Sequence, residues 1–435
     1  MNRKILRLAI PNIISNITVP LLGIVDLAVV GHLEGVWFIG AVALGSTVFN
    51  FVYWSFGFLR MSTSGMAAQA YGAGDDGGAR EVLQRSLLTG LLAGLAILLL
   101  QVPIEKISFY LLEGSEKTEF FASRYFYIRV WAAPATLMLY SLNGWFLGMQ
   151  NARYPMIVTL VINLLNIGLD LLFVSGFHLN SDGVALGTLL ANYAGLATAL
   201  FLLYRRYPSA TKRLSLTVLL DREKIRGFFG INLNIFLRTM CLIMVFTFFT
   251  ARSAVYGDEI LAVNTLLLQF FMFFSFFMDG FAYAAEALTG RFFGAADLRL
   301  LKKSIRALFF WGVVLSVPFS LIYLAAGDTI LSLLTDNREI IAAAAPYLPW
   351  VVVIPLISFP AFLWDGIYIG VTSSAGMRNT MLFSTLAVFF PVWYFTQESL
   401  GNHSLWLALV LFLISRGISM GLFSKRYIFT LPNKS

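Results

Sequence analysis

Apolar runs of about twenty residues or more recur along the whole chain, separated by short breaks rich in charge, Gly or Asn. A helix needs about 20 mostly apolar residues to cross the hydrocarbon layer of a bilayer. On that measure the pattern predicts twelve spans, near 8–31, 38–70, 87–111, 120–148, 155–176, 183–205, 228–252, 260–290, 304–326, 341–370, 379–397 and 404–424. Several exceed one bilayer thickness, so tilt or protruding ends are expected. In lipid a helix satisfies all of its own backbone polar groups, so the expected fold class is all-α and integral to the membrane. One long polar stretch, 206–227, is basic, contains Pro208 and has no span of its own. It reads as a linker between an N-terminal lobe, 1–205, and a C-terminal lobe, 228–435.

The two lobes repeat each other. Shifted by 222 residues, Gly35 meets Gly257, Tyr125 meets Tyr347, and Gly144 and Gly148 meet Gly366 and Gly370. Gly72-Ala73-Gly74-Asp75 meets Gly294-Ala295-Ala296-Asp297. After Gly148 a short gap is needed, because Pro155-Met156 aligns better with Thr380-Met381. A repeat of six spans is even, so both lobes enter the membrane in the same sense. A pseudo-two-fold axis along the membrane normal is therefore expected, with a cleft between the lobes that can open to either side.

Charge orients this arrangement. With the N-terminus in the cytoplasm, most of the 31 Lys and Arg fall on the inner side. The outer connections then hold only Lys117, Arg124, Arg252 and Arg338, as the positive-inside rule requires. Both termini are expected to be cytoplasmic, and the membrane to be an inner (cytoplasmic) one. The basic start, Met1 to Arg7, runs into an apolar stretch that passes Val30, too long for the core of a signal peptide, so it reads as the first span. His32, His178 and His403 fall in or beside outer connections, where short polar loops account for them.

Composition agrees: 58% of residues are hydrophobic and only 12% charged, with a mean hydropathy of +0.78. Soluble domains carry about a quarter charged residues. The net charge of +8 would suggest nucleic acid in a soluble protein; here the basic residues orient helices, and no nucleic-acid partner is expected. The single cysteine, Cys241, rules out an intrachain disulfide and reads as a small buried hydrophobe. No His-rich span, Gly-x-Ser-x-Gly elbow or phosphate-binding loop with a lysine occurs, which argues against an embedded enzyme and against ATP drive. No cofactor is expected, and the chain is expected to act as a monomer.

Ionisable residues at membrane depth are expensive and mark function by default. Asp26 lies about five residues from the outer end of the first span and Asp170 about six from that of the fifth. Asn166 precedes Asp170 by four residues and so shares its face, and Thr188 lies about five residues into the sixth span. All four sit at similar depth in the first lobe. Two close carboxylates repel, so they are expected to share a proton or to be bridged by a small cation on hard oxygens. The second lobe has no such pair: the position of Asp26 is taken by Phe248. It carries Arg238 in the seventh span and Asp365 in the tenth instead, for which a structural ion pair is expected. Asp279 and Glu286, seven apart in the eighth span, share a face. They read either as cavity charges for a cationic substrate or as local partners of Arg60 or Arg416. Pro20 deprives Asn16 of a helical hydrogen bond and allows a bend beside Asp26. Pro11 reads as a second bend point or as a residue of the first turn.

The chain resembles the multidrug and toxic compound extrusion (MATE) family, and within it a DinF-like bacterial branch. The stretches that carry the resemblance are Pro11-Asn12 with Val25-Asp26-Leu27-Ala28-Val29-Val30-Gly31, Gly144-Trp145-Phe146-Leu147-Gly148 through Tyr154-Pro155, and Leu261-Ala262-Val263-Asn264 through Asp279-Gly280 to Glu286. The resemblance implies cation-coupled export of small organic cations or amphipathic drugs, with H⁺ or Na⁺ as the driving ion. It also implies a first-lobe cation site made by an aspartate of the first span, an Asn and an Asp one turn apart in the fifth, and a Thr of the sixth. Asp26, Asn166, Asp170 and Thr188 stand at those positions. Asp365-Gly366-Ile367 resembles an acidic motif of the NorM-like branch, but that branch has an acid in the seventh span where this chain has Arg238. A flippase for a lipid-linked precursor, from the same superfamily, is the competing expectation.

Overall fold

The structure, a computed structural model, describes every residue except 32, 34, 113, 213–215, 220 and 430–435. Expectations placed on His32, Arg213 and Lys434 lie outside the described residues.

All regular structure among the described residues is helical. The first half runs α1 (Asn2–Gly31), α2 (Val36–Ser55), α3 (Phe58–Ala73), α4 (Asp76–Leu99), α5 (Gln101–Leu112), α6 (Glu116–Arg129), α7 (Ala133–Gly148), α8 (Arg153–Asp170) and α9 (Asn180–Arg206). A short α10 (Leu216–Leu219) lies in the linker. The second half runs α11 (Arg222–Val255), α12 (Asp258–Gly294), α13 (Leu298–Leu334), α14 (Arg338–Ala344), α15 (Leu348–Gly370), α16 (Ser374–Phe383), α17 (Phe390–Leu400) and α18 (His403–Tyr427). Ten helical stretches among the described residues are long and apolar enough to cross a membrane. Two further helical stretches, Glu116–Gly148 across a 3₁₀ turn and Ser374–Leu400 across a π turn, do not meet that measure. Helix ends run several residues past the apolar windows. α11 starts at Arg222 because the Asp221 carboxylate accepts from the Glu223 and Lys224 amides (3.0 and 3.1 Å).

The chain divides into two compact units, Ile14–Gly227 and Met1–Ile13 with Phe228–Ser435. The first thirteen residues thus pack with the second half. There Gly280 of α12 admits them: a Cβ on it would stand 2.9 Å from the Ala9 carbonyl. α1 begins at Asn2, so Pro11 lies inside the helix, not in its first turn, and α1 runs unbroken through Pro11 and Pro20.

The 222-residue repeat is visible in matched contacts within each unit. A Cβ on Gly144 would stand 2.3 Å from the Arg60 carbonyl, and one on Gly366 2.2 Å from that of Ala282. Gly148 meets the Ser64 carbonyl at 2.7 Å, and Gly370 that of Glu286 at 2.4 Å. These small residues let α7 lie directly on α3, and α15 on α12. The caps match too. Asp75 accepts from the Gly78 amide and Asp297 from that of Leu300, both at 2.8 Å. The preceding residues, Gly74 and Ala296, are both left-handed (φ 71° and 55°). Four residues of the repeat therefore recreate one helix end twice.

In the first unit the linker is tied down. Gln84 donates to the Lys212 carbonyl (2.7 Å) and Arg85 to those of Val218 (3.2 Å) and Leu219 (3.3 Å). Glu81 pairs with Lys224 at 2.6 Å. α10 thus sits against the start of α4.

Candidate ion-coupling site

Asp170 is the last residue of α8, where the chain opens into a π turn, Leu171–Gly176. Such widened turns are frequent at functional sites. Its carboxyl is fully buried, and α9 can pack over it only because residue 187 is a glycine: a Cβ there would stand 2.1 Å from Asp170 Oδ1. One turn earlier on α8, Asn166 is also buried, and its Oδ1 accepts a long hydrogen bond from Thr188 of α9 (3.5 Å). The polar chain continues across the unit, since Asn192 donates to the Thr188 carbonyl (2.8 Å) and accepts from Thr136 of α7 (3.3 Å). α1 supplies Asp26, itself buried, whose carboxyl lies within hydrogen-bonding reach of Asp170. The structure therefore brings Asp26, Asn166, Asp170 and Thr188 together.

Neither Asp170 oxygen, nor Asp26 Oδ1, meets an N–H or O–H donor in normal geometry. Two ionised carboxylates so placed repel by roughly 4 kcal/mol at an effective dielectric of about 20 and a separation of about 4 Å. A proton held between them removes that repulsion, and so does a small cation on their oxygens. The neutral oxygens of Asn166 and Thr188 suit either occupant.

Sequence reasoning missed one member of this region, Arg129 at the end of α6. Its guanidinium donates to Ser46 Oγ (3.0 Å) and to the Tyr125 hydroxyl, and stacks over the Phe49 ring 4.9 Å away. It lies within electrostatic range of both Asp26 and Asp170. The available signal was its position thirteen residues into the helical stretch that starts at Glu116, one turn after a tyrosine, too deep for a residue at a span's end.

In the second unit the position that repeats Asp26 holds no carboxylate. Phe248, at the position repeating Asp26, stands edge-on to Phe389, Phe390 and Trp393. Arg238 and Asp365 do pair, and Arg416 of α18 binds the same Asp365 oxygen at 2.5 Å. All three are buried, so one carboxylate is held between two guanidinium groups. Asp279, half-buried on α12, lies within electrostatic range of Arg416. Glu286, two turns on, is buried, and its backbone carbonyl packs on Gly370. Arg416 thus serves Asp365 first.

Comparison with known proteins turns the repeat into an identity. The profile of the MatE family matches twice, over residues 11–172 and again over 235–395. The chain belongs to the MatE family. It is 39% identical over 426 residues to the DNA damage-inducible protein F of Escherichia coli K12, covering 98% of this chain and 92% of that one. It is 27% identical over 351 residues to the human multidrug and toxin extrusion protein 1, covering 80% of this chain and 60% of the relative. Among solved structures, a crystal structure of MATE in the bent conformation superposes with a TM-score of 0.89 at 21% identity, over 99% of this chain and 96% of that one. An outward-facing MATE transporter of the MOP superfamily superposes at 0.87 and 21% identity, over 99% and 96%. This MatE protein is an integral membrane transporter and not an enzyme. Each of its two profile matches covers most of one repeat, so the matched glycine contacts and caps belong to the family's own internal duplication.

Proposed function

We propose that this MatE protein is a secondary active exporter. In this reading it exchanges amphipathic organic compounds, cationic ones among them, for a coupling cation by alternating access. H⁺ is favoured over Na⁺. Its twelve spans form two six-helix lobes, 1–205 and 228–435 around the linker 206–227, related by a pseudo-two-fold axis along the membrane normal. Both termini face the cytoplasm of a bacterial inner membrane.

One observation carries the coupling: two buried carboxyls, Asp26 and Asp170, lie within hydrogen-bonding reach of each other, and neither Asp170 oxygen nor Asp26 Oδ1 meets a donor. A pair of this kind binds a cation when the site is closed and repels itself open when the cation leaves. Asp26 stands six residues past Pro20 on α1, where a missing backbone hydrogen bond makes the helix easiest to bend. Loss of the shared proton pushes Asp26 from α8, and α1 is the element free to answer. The name of the human relative, multidrug and toxin extrusion protein 1, supports the substrate class. A lipid-precursor flippase is less favoured, since the buried charges here are mixed: arginines flank Asp365, and Arg129 faces two carboxyls.

The test is ethidium export from vesicles under an imposed pH gradient, then under a Na⁺ gradient at fixed pH. Asp26→Asn and Asp170→Asn should each abolish gradient-driven export while ethidium binding is partly retained. Asn166→Ala and Thr188→Ala should weaken coupling less, because each removes one neutral ligand. Wild-type export by Asp26→Asn would place the coupling elsewhere.

A further inference from the structure

Arg129 lies in electrostatic range of two carboxyls but touches neither among the described residues. The ion pairs among the described residues, all within 4.0 Å, do not include it. Its Nε is out of solvent contact and has no hydrogen-bond partner. The groups that hold it are neutral: Tyr125 from its own helix, and Ser46 and Phe49 from α2. The ionisable groups around it are Tyr125, Tyr53 of α2, Asp26 of α1 and Asp170 of α8. Tyr53 has Tyr140 of α7 as its further neighbour. Arginine does not lose its proton in proteins, and both tyrosines are neutral phenols at physiological pH. Among the described residues, the groups that carry charge here are therefore one guanidinium and two ionisable carboxyls.

Net charge in a dry interior is costly, so the closed state favours a neutral cluster. Two carboxylates alone need two cations for neutrality. With the guanidinium beside them they need one. We propose that Arg129 is a tethered counter-cation that fixes the coupling at one transported cation per cycle. The inference rests on the carboxyl-pair reading and adds the stoichiometry that the reading leaves unspecified. Arg129 is here a positioning residue for charge. It need not touch the ion, since its effect acts through the field it sets at Asp26 and Asp170.

The experiment is a reversal measurement in vesicles with the membrane potential clamped at zero. The ethidium ratio that just stops net flux is found at several imposed pH differences. The slope of the logarithm of that ratio against the pH difference is the number of protons exchanged per ethidium. The wild type should give a slope of one, Arg129→Gln a slope approaching two, and Arg129→Lys a slope of one. A wild-type slope of two overturns the inference and needs no variant that might misfold. So does an Arg129→Gln slope equal to that of a coupled wild type. A wild type with no dependence on the pH difference is titrated against a Na⁺ gradient in the same way, where the same slopes are expected; no dependence on either gradient, or Asp26→Asn with an intact slope, instead overturns the carboxyl-pair reading beneath it.

Discussion

At the scale of single residues, the two units solve the problem of buried charge in opposite ways. In the first, two carboxyls face each other and a guanidinium stands off at one side. In the second, one carboxylate is gripped by Arg238 and Arg416. Removing the only anion of such a cluster leaves two facing cations in a low dielectric, whereas removing one arginine leaves a balanced pair. Asp365→Asn should therefore destabilise the protein by roughly 3–5 kcal/mol, and Arg416→Met or Arg238→Met by clearly less. Thermal unfolding in detergent, followed by loss of the monodisperse peak, ranks the three. Equal losses in all three would show that packing rather than charge balance decides. The Arg238–Asp365 pair was legible in the sequence because each partner lay deep in an apolar run and no other charge was obvious for it. The third member was not: Arg416 sits in the last span among Ser, Gly and Ile, and depth alone assigned it equally well to Asp279 or Glu286.

At the scale of elements, close helix contacts set by glycine carry the repeat. Alanine at Gly144 or at Gly366 places a methyl group 2.3 or 2.2 Å from a backbone carbonyl, which α3 or α12 must move to relieve. Each substitution should cost about 1–3 kcal/mol, and the two costs should be similar, because the contact is the same one repeated. Gly230→Ala is the control: nothing lies within 4 Å of its Cβ, so it should be neutral or slightly stabilising in the same unfolding assay. Outside the membrane, Asp221 caps α11. Hydrogen bonds from the Lys224 and Glu223 amides hold its carboxyl below the usual carboxylate range. A group depressed in the folded state stabilises above its unfolded pKa, and that contribution fades as pH falls through the folded value. Asp221→Ala should thus speed amide exchange in residues 222–226 near neutral pH, and the difference from the wild type should vanish in acid. Spans were legible because apolar length reports them directly. The interruptions were not, since the π turns at Leu171–Gly176 and Ser384–Phe389 lie inside unbroken apolar runs whose composition continues across them. The docking of residues 1–13 on the second unit was equally hidden, because it depends on a long-range contact at Gly280.

At the scale of the whole molecule, the internal duplication was readable from glycines, a tyrosine and a Gly-Ala-x-Asp run matched at one offset, and the family profile falls on both copies. What the duplication does not preserve is the chemistry. Asp26 is repeated as Phe248, which packs against Trp393, so the carboxyl pair belongs to one half only. An asymmetric pair within a duplicated frame is the central claim: one half senses the cation, and the sensing moves α1, which has residues in both units. The most direct measurement is proton flux itself. Vesicles in Na⁺-free buffer, loaded with a pH indicator and given an outward-to-inward ethidium gradient, should show proton movement opposite to ethidium in the wild type and none in Asp26→Asn, although that variant still binds ethidium. Proton movement of wild-type size in Asp26→Asn, or movement in the wild type only when Na⁺ is supplied, would contradict the account.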